Sequence, residues 1–216
     1  MFEGIFTALI TPFKDGKVDE SALWNLVEQQ IEAGIAGLVP CGSTGESATL
    51  SADEHNDVID IVISAAAGRV PVIAGTGSNN TREAISFTQY AKDAGATGAL
   101  LLSPYYNKPT QEGLIEHFVA IADATQIPLM LYNIPGRTAS NMLPETIARL
   151  AEHEFIVGVK EACGDLDQIS QLISLCPSDF TVLSGDDSLL LPVMAVGGKG
   201  SIAVTSNLAP KRMLEL

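Results

Sequence analysis

A lysine ends one of the apolar stretches of the chain, in the sequence FIVGVK, and its amine is the first candidate for chemistry. Side chains alternate between the two faces of a strand, so the pattern predicts that Ile156, Gly158 and Lys160 share one face and Val157 and Val159 the other. Among apolar neighbours an amine is desolvated, its pKa falls, and the neutral form can attack a carbonyl to form a Schiff base. The alternative is a strand-end lysine that reaches solvent or pairs with Glu161.

Other side chains with suitable chemistry follow further strand ends. Tyr132 ends PLMLYN, and its phenol can relay protons beside an imine, although an aromatic core residue has the same pattern. Arg137, in NIPGRT, can hold a carboxylate with two hydrogen bonds, or it can be an ordinary surface residue. The loop PYYNKPT carries Tyr105 and Tyr106, and there the alternative is a stiff structural turn.

A turn rich in glycine and hydroxyl groups, CGSTGE, joins an apolar stretch to a helix. The spacing from Gly42 to Gly45 is too short for a phosphate-binding loop, and Glu46 stands roughly where such a loop needs lysine. A nest of backbone N–H groups with the hydroxyls of Ser43 and Thr44 suits a single carboxylate instead. The alternative is a turn that only caps the next helix.

The remaining polar clusters indicate no metal site. His55, His117 and His153 fall on three separate helical segments without ligand spacing. Asp186 and Asp187 form a pair that could bind a metal, but capping of the following helix is the favoured interpretation. Cys163, three residues beyond the strand-end lysine, is interpreted as structural.

Eight aliphatic or β-branched stretches must position these residues, and amphipathic segments separate them. The predicted strands are Phe6–Ile10, Gly37–Pro40, Val70–Ala74, Gly98–Leu102, Pro128–Tyr132, Ile156–Lys160, Thr181–Leu183 and Ser201–Val204. Continuous apolar strands joined by helices predict a parallel sheet, and eight such units favour an α/β fold of the (β/α)8 TIM-barrel type. A doubly wound sheet is disfavoured because the first turn lacks the dinucleotide-binding glycines. Barrel enzymes place their chemistry at the carboxyl ends of the strands.

The composition and the ends of the chain limit the domain organisation, the partners and the compartment that we expect. We expect residues 1–207 to form the barrel and residues 208–216 to begin a C-terminal helical region whose remainder is missing. The net charge of −14 and the pI of about 4.4 argue against nucleic acid and anionic membranes as partners. The chain has no apolar stretch of membrane-spanning length, no signal sequence and no cysteine framework, so a cytoplasmic protein with reduced thiols is expected.

Four segments together resemble the 4-hydroxy-tetrahydrodipicolinate (dihydrodipicolinate) synthase family, within the pyruvate-dependent superfamily of N-acetylneuraminate lyase. They are GSTGESATLSADEH (42–55), PYYNKPTQEGLIEHF (104–118), LYNIPGRT (131–138) and VGVKEA (157–162). The resemblance covers the whole chain. It implies a (β/α)8 barrel and a lyase that condenses pyruvate with L-aspartate-4-semialdehyde in lysine and diaminopimelate biosynthesis.

The resemblance also implies a role for individual residues. Lys160 would form an imine with pyruvate, so that no separate cofactor is needed, and Ser43 and Thr44 would hold the pyruvate carboxylate. Thr44, Tyr132 and Tyr106 would relay protons, with Tyr106 supplied by a neighbouring subunit of a homo-oligomer, a dimer or a tetramer. Arg137 would receive the carboxylate of the second substrate. Positions that line the surroundings of the lysine are Gly185 and Ile202.

Some family members are inhibited by L-lysine at a subunit interface. The matching positions are Ser47, Ala48, His55, Asn79, Glu83 and Tyr105. Ala52 departs from the histidine that sensitive bacterial members often have there. Two alternatives to the synthase remain: an N-acetylneuraminate lyase or 2-keto-3-deoxy sugar-acid aldolase of the same superfamily, and an inactive fragment.

Overall fold

Eight parallel strands form the centre of the computed structural model, which describes residues 1–216. In chain order the strands are β1 Gly4–Ala8, β2 Phe13–Lys14, β3 Lys17–Val18, β4 Gly37–Val39, β5 Ile73–Gly75, β6 Gly98–Leu102, β7 Leu129–Asn133, β8 Ile156–Glu161, β9 Thr181–Ser184 and β10 Gly200–Ala203. The α-helices are α1 Glu20–Ala33, α2 Ala52–Ala66, α3 Thr81–Ala94, α4 Gln111–Thr125, α5 Pro135–Thr138, α6 Pro144–Leu150, α7 Leu166–Leu175, α8 Leu190–Ala195 and α9 Pro210–Leu214. Strands β2 and β3 form a separate antiparallel hairpin.

The large sheet closes into a barrel. Its strand order is β4-β1-β10-β9-β8-β7-β6-β5, and at least one α-helix joins each strand to the next along the chain. A parallel bridge between Leu38 and Val72 links the two ends of this order. The predicted (β/α)8 barrel is therefore confirmed, and all eight predicted strands are present within a few residues of their predicted bounds.

The interior of the barrel and the layer between strands and helices are separate apolar clusters. The interior cluster consists of Phe2, Phe6, Ala8, Val39, Ile73, Leu100, Met130, Tyr132, Leu183 and Ile202. The two largest clusters lie between the strands and the helices, one centred on α4 and α6 and the other on α1 and α2. Because both faces of the eight barrel strands are covered, side chains at the carboxyl ends of these strands can be screened from water.

The helices begin and end with the expected local signals. Ser51 and Glu54 form a capping box at the start of α2, and Thr110 accepts a hydrogen bond from an N–H of the first turn of α4. Gly34 and Gly95 end α1 and α3 in the left-handed conformation that glycine adopts without strain. These signals fix where each crossover returns to the barrel.

One predicted face assignment is wrong. Leu129 pairs with Ile156, but the next residue of β7, Met130, pairs with Gly158, so β8 contains a bulge. A bulge adds one residue and reverses the alternation beyond it. Ile156 therefore packs in the outer layer and Val157 against the interior cluster, opposite to the prediction, while Gly158 and the strand end keep their predicted faces.

The last residues of the chain pack onto the barrel. Helix α9 buries Met213 against a small cluster that includes Ile5, Ile35 and Leu190. Whether residues 208–216 begin a larger helical region stays a prediction. No helix of the structure combines the length and apolar character that crossing a membrane requires.

Candidate active site

Lys160 occupies the carboxyl end of β8 with its side chain inside the barrel. The residue is only 4% exposed, and its Nζ atom lies 4.3 Å from the centre of the Tyr132 ring. None of the four ion pairs in the structure includes it. The predicted alternative of a pair with Glu161 is wrong, because the Glu161 carboxylate bonds to Asn133 and Cys163 on the other face of the strand.

The lysine carbon chain has little free space around it. A Cβ atom built on Gly185 would lie 3.1 Å from Cε of Lys160 and 2.7 Å from Cβ of Ala162. A Cβ atom on Gly158, earlier in the same strand, would lie 2.6 Å from the carbonyl oxygen of Thr181. The two glycines thus let the neighbouring backbone approach the lysine strand closely, and the fully buried Ile202 belongs to the interior cluster that contains Tyr132.

This environment changes the acidity of the amine. Burial lowers the pKa of Lys160 to about 8, the carboxylates of Asp187 and Asp186 oppose that change, and the Arg137 charge adds to it. With that pKa, roughly a tenth of the amine is neutral at pH 7, which is far more than for an exposed lysine. A neutral amine is the form that attacks a carbonyl.

Tyr132 pairs directly with Lys160 in the register of β7 and β8. Burial raises the pKa of the Tyr132 phenol to about 12, and the nearby Arg137 charge and Ser43 side chain act in the opposite direction. The phenol therefore keeps its proton at neutral pH and can both donate and accept hydrogen bonds. Ser43 connects this tyrosine to the loop that follows β4.

The loop after β4 offers free backbone donors. The N–H groups of Gly45, Glu46 and Ser47 donate to the carbonyls of Gly42 and Ser43, whereas the N–H groups of Ser43 and Thr44 make no hydrogen bond within the chain. Thr44 is half-buried and Ser43 is exposed. Two adjacent free amides with hydroxyl side chains can bind a carboxylate.

Two anchors hold this loop against the barrel. The Thr11 hydroxyl donates to the Gly45 carbonyl at 2.7 Å, and the Cα of Gly75 packs so closely on the Cys41 carbonyl that a Cβ atom would overlap it. Cys41 and Glu46, at the two ends of the turn, adopt positive φ angles of 55° and 59°. Such angles are costly for residues other than glycine and are concentrated at binding sites. Burial raises the pKa of Cys41 to about 12, so its thiol is not a nucleophile at neutral pH.

A cleft leads from the surface towards Tyr132. Its outer part has a volume of about 450 Å³, and a narrow inner part of about 10 Å³ ends at the tyrosine. Both parts share the residues Ser43, Ser47, Gly75, Gly77 and Leu102. Arg137 lines the outer part, where its exposed guanidinium forms no ion pair and is free to receive an anion.

The L-lysine positions suggested by resemblance also lie in the outer part of the cleft. Its lining includes Ser47, Ala48, His55, Glu83 and Tyr105, together with Ala52. The sixth position, Asn79, lies beside the cleft and donates to the Tyr105 carbonyl at 3.1 Å. The structure thus brings these six positions together around one cavity.

Tyr106 lies apart from the other candidates. It is 90% exposed and has a φ angle of 71°, and the N–H of Asn107 donates to the Tyr105 carbonyl across it at 2.8 Å. These features define a strained γ-turn that directs the tyrosine away from its own chain. Within one copy of the chain, Tyr106 does not join Lys160 and Tyr132.

The sequence did not indicate the electrostatic role of the acidic pair after β9. Asp187 does not cap its own short helix; its carboxylate accepts hydrogen bonds from the N–H groups of Val204 and Thr205 after β10. Asp186 has no hydrogen bond or ion pair to its carboxylate, and it acts on both Lys160 and Tyr132. The predicted N-cap is therefore wrong, and the pair instead favours the charged form of the lysine.

The remaining candidates lie at separate places in the fold. His55 lines the outer cleft, and His117 bonds to Thr81 between α3 and α4. His153 lies 3.1 Å from an Asp123 carboxylate oxygen at the surface. No group of three or more potential metal-binding side chains occurs. Burial raises the pKa of Cys163 to about 12, as expected for a structural thiol.

A closed (β/α)8 barrel with a desolvated lysine and a tyrosine at adjacent strand ends is typical of lyases that act on carbonyl compounds. The model of the dihydrodipicolinate synthetase family matches residues 1–216. The chain therefore belongs to that family, as the sequence motifs predicted.

Individual relatives agree with the family match. A 4-hydroxy-tetrahydrodipicolinate synthase of Nitratidesulfovibrio vulgaris is 59% identical over all 216 residues, which span 74% of that relative. The pyruvate complex of a chloride-inhibited dihydrodipicolinate synthase from Acinetobacter baumannii has a TM-score of 0.97 at 50% identity. The match includes 100% of this chain and 74% of the Acinetobacter baumannii chain. A dihydrodipicolinate synthase from Cyanidioschyzon merolae with lysine bound has a TM-score of 0.96 at 43% identity. Here the match includes 99% of this chain and 74% of the Cyanidioschyzon merolae chain.

These relatives confirm the predicted enzyme class and activity. The chain is a lyase of the 4-hydroxy-tetrahydrodipicolinate synthase type, which acts in lysine and diaminopimelate biosynthesis. No observation favours the sugar-acid or sialic-acid lyase alternatives.

We expect Asp186→Asn to shift the pH dependence of Lys160 reactivity to lower pH. The free carboxylate favours the ammonium, so its loss makes the neutral amine available at lower pH. The measurement is the rate of borohydride trapping at limiting pyruvate between pH 6 and 10, whose midpoint we expect near 8 in the unaltered protein.

Asp179→Asn is the matched control, because it removes the same charge from an exposed residue just before the amino end of β9. An equal shift in both variants, or none in Asp186→Asn, contradicts the role assigned to Asp186.

Proposed function

We propose that Lys160 forms an imine with pyruvate, which the enzyme condenses with L-aspartate-4-semialdehyde to give 4-hydroxy-tetrahydrodipicolinate. The observation that carries this proposal is the burial of Lys160, with a pKa lowered to about 8, beside Tyr132 at the end of a cleft. The relative from Acinetobacter baumannii, solved with pyruvate, supports the choice of keto acid.

The first half of the reaction activates pyruvate. The neutral amine of Lys160 attacks the ketone carbon, a proton moves to the oxygen, and water leaves to give the imine. Loss of a methyl proton then gives an enamine. In our proposal the free N–H groups of Ser43 and Thr44 hold the pyruvate carboxylate, and Tyr132 and Thr44 carry the protons. The imine itself accepts the electron pair, so no separate cofactor is required.

The second half joins the two substrates. The enamine carbon attacks the aldehyde carbon of L-aspartate-4-semialdehyde and restores the imine. The amino group of that substrate then attacks the imine carbon, closes the ring and releases the amine of Lys160. Arg137 lines the cleft and has no carboxylate partner within the chain, which supports its role in binding the substrate carboxylate.

We also propose that the chain acts as a homo-oligomer, a dimer or a tetramer, in the cytoplasm. The support for assembly is Tyr106, which is 90% exposed on a strained turn and can complete the proton relay only in another copy. The support for the compartment is that Cys41, Cys163 and Cys176 are all free thiols.

L-Lysine is the proposed inhibitor, and the outer cleft is its proposed site. Glu83 and Glu46 line this cleft and offer negative charge to an ammonium group, while Ser47 offers a hydroxyl. The Ser78 hydroxyl donates to Glu83 and so holds that carboxylate in place. The relative from Cyanidioschyzon merolae, solved with lysine bound, supports this choice of ligand. Ala52 in the lining weakens the resemblance to sensitive bacterial members.

Borohydride reduction in the presence of pyruvate tests the central step. We expect a single adduct, located by peptide mass spectrometry on Lys160, and no adduct in Lys160→Ala. Lys199→Ala, which alters a lysine near the amino end of β10, is the control and should label normally. Labelling of another residue, or none in the folded protein, would sink the proposed mechanism.

Mixing two inactive variants tests the role of Tyr106. We consider Lys160→Ala and Tyr106→Phe chains that form dimers at random. If Tyr106 comes from the partner, one of the two sites in each mixed dimer contains both Lys160 and Tyr106. About a quarter of full activity should then return. Lys160→Ala mixed with Tyr132→Phe is the control, because both residues belong to one chain and no activity should return. Restoration in the control alone, or in neither mixture, contradicts the proposal.

Steady-state inhibition by L-lysine tests the outer cleft. Glu83→Gln should raise the concentration for half inhibition about tenfold, because it removes a charge that faces the ligand's ammonium. Glu112→Gln removes a surface carboxylate that pairs with Arg149 and should leave the inhibition unchanged. Absence of inhibition in the unaltered protein, or an equal effect of both variants, rules out this site.

A further inference from the structure

A carboxylate is buried directly behind the lysine. Asn133 and Glu161 form the register pair that follows Tyr132 and Lys160 along β7 and β8. Because side chains alternate along a strand, Tyr132 and Lys160 point into the barrel, whereas Asn133 and Glu161 point into the layer between strands and helices. Asn133 and Glu161 are 0% and 1% exposed.

Only neutral groups hold this carboxylate. Its oxygens accept hydrogen bonds from Nδ2 of Asn133 at 3.0 and 3.1 Å and from the N–H of Cys163 at 2.9 Å, and no lysine, arginine or histidine pairs with it. An unpaired buried carboxylate is costly, and burial raises the pKa of Glu161 to about 7. A side chain with such a cost needs a reason beyond filling space.

The carboxylate determines which way the Asn133 amide points. In the ionised form both Glu161 oxygens are acceptors, so Nδ2 of Asn133 must face them, and Oδ1 then accepts the N–H of Met142 at 3.0 Å. Nδ2 also donates to Oδ1 of Asn141 at 2.8 Å, and Asn141 in turn bonds to Gln168 of α7. The Asn133 amide therefore closes the loop that runs from β7 to Met142.

Arg137 lies within that loop, in the short helix α5. We propose that Glu161 is a positioning residue for the second substrate: by orienting Asn133, it fixes the loop that carries Arg137 relative to the strand that carries Lys160. The inference deepens the proposed function and rests on the assignment of Arg137 to the carboxylate of L-aspartate-4-semialdehyde.

Glu161→Gln tests this inference in the full-length chain. The amide nitrogen of glutamine would face an N–H donor of Asn133 or Cys163, so the orientation of Asn133 is no longer fixed. We expect the KM for L-aspartate-4-semialdehyde to rise about tenfold, a direction that Arg137→Ala should share, and pyruvate trapping on Lys160 to stay within about twofold of normal. A purely structural defect would impair both.

A compensating variant makes the test specific. Asn133→Asp combined with Glu161→Gln exchanges donor and acceptor and keeps one negative charge in the pair. The amides of Asn141 and Gln168, which bond to each other, then turn together so that Asn141 donates to the new carboxylate, and the KM should return towards its normal value. Asn141→Ala breaks the loop contact while leaving the carboxylate paired, and it should raise the same KM even if Glu161→Gln does not fold.

The outcomes separate this inference from the proposed function. A selective rise in KM in the folded variants, reversed by the exchange, supports the inference. Three results overturn the inference: an unchanged KM in Glu161→Gln, a fall in trapping as large as the rise in KM, or an unchanged KM in Asn141→Ala. In each case normal trapping in the unaltered protein leaves the proposed function intact. Failure of trapping in the unaltered protein overturns the proposed function itself.

Discussion

The exclusion of water from the Lys160 amine is the physical constraint on which the site depends. An ammonium in apolar surroundings loses its hydration, and no carboxylate in contact restores that loss here. The barrel must therefore be closed around the lysine, with glycines at positions 158 and 185 where larger residues would force the strands apart. The acidic residues after β9 form no ion pair with the lysine. They therefore offset only part of the pKa lowering that burial causes.

The alternation of side chains gives the two strand ends a second use. The inner faces of β7 and β8 place the tyrosine at the inner end of the cleft and the lysine directly beside it, and the outer faces bury a polar pair that ties the following loops together. Chemistry and loop anchoring thus occur at one level of the barrel. A substitution on the outer face can change the site without touching a substrate.

Much of this arrangement could be predicted from the sequence, because it depends on local pattern. The apolar stretches, their caps and the strand-end position of Lys160 are all visible in short segments. The bulge at Val157 could not be predicted, because it arises from the pairing with β7. The partner of Glu161 is 28 residues away in the sequence, and Asp187 caps a turn 17 residues downstream, so neither contact leaves a local signal.

The pairing of β1 with β10 has a consequence for how the enzyme becomes active. One edge of β1 pairs with β4 soon after both are made, but the other edge stays open during synthesis until β10, whose Gly200 pairs with Gly4. Contacts of such long sequence separation form late in folding. Ile202 lies on that last strand and belongs to the same interior cluster as Tyr132. We therefore expect the lysine of an incomplete barrel to stay hydrated, so that the reactive amine arises only when the ring of strands is complete.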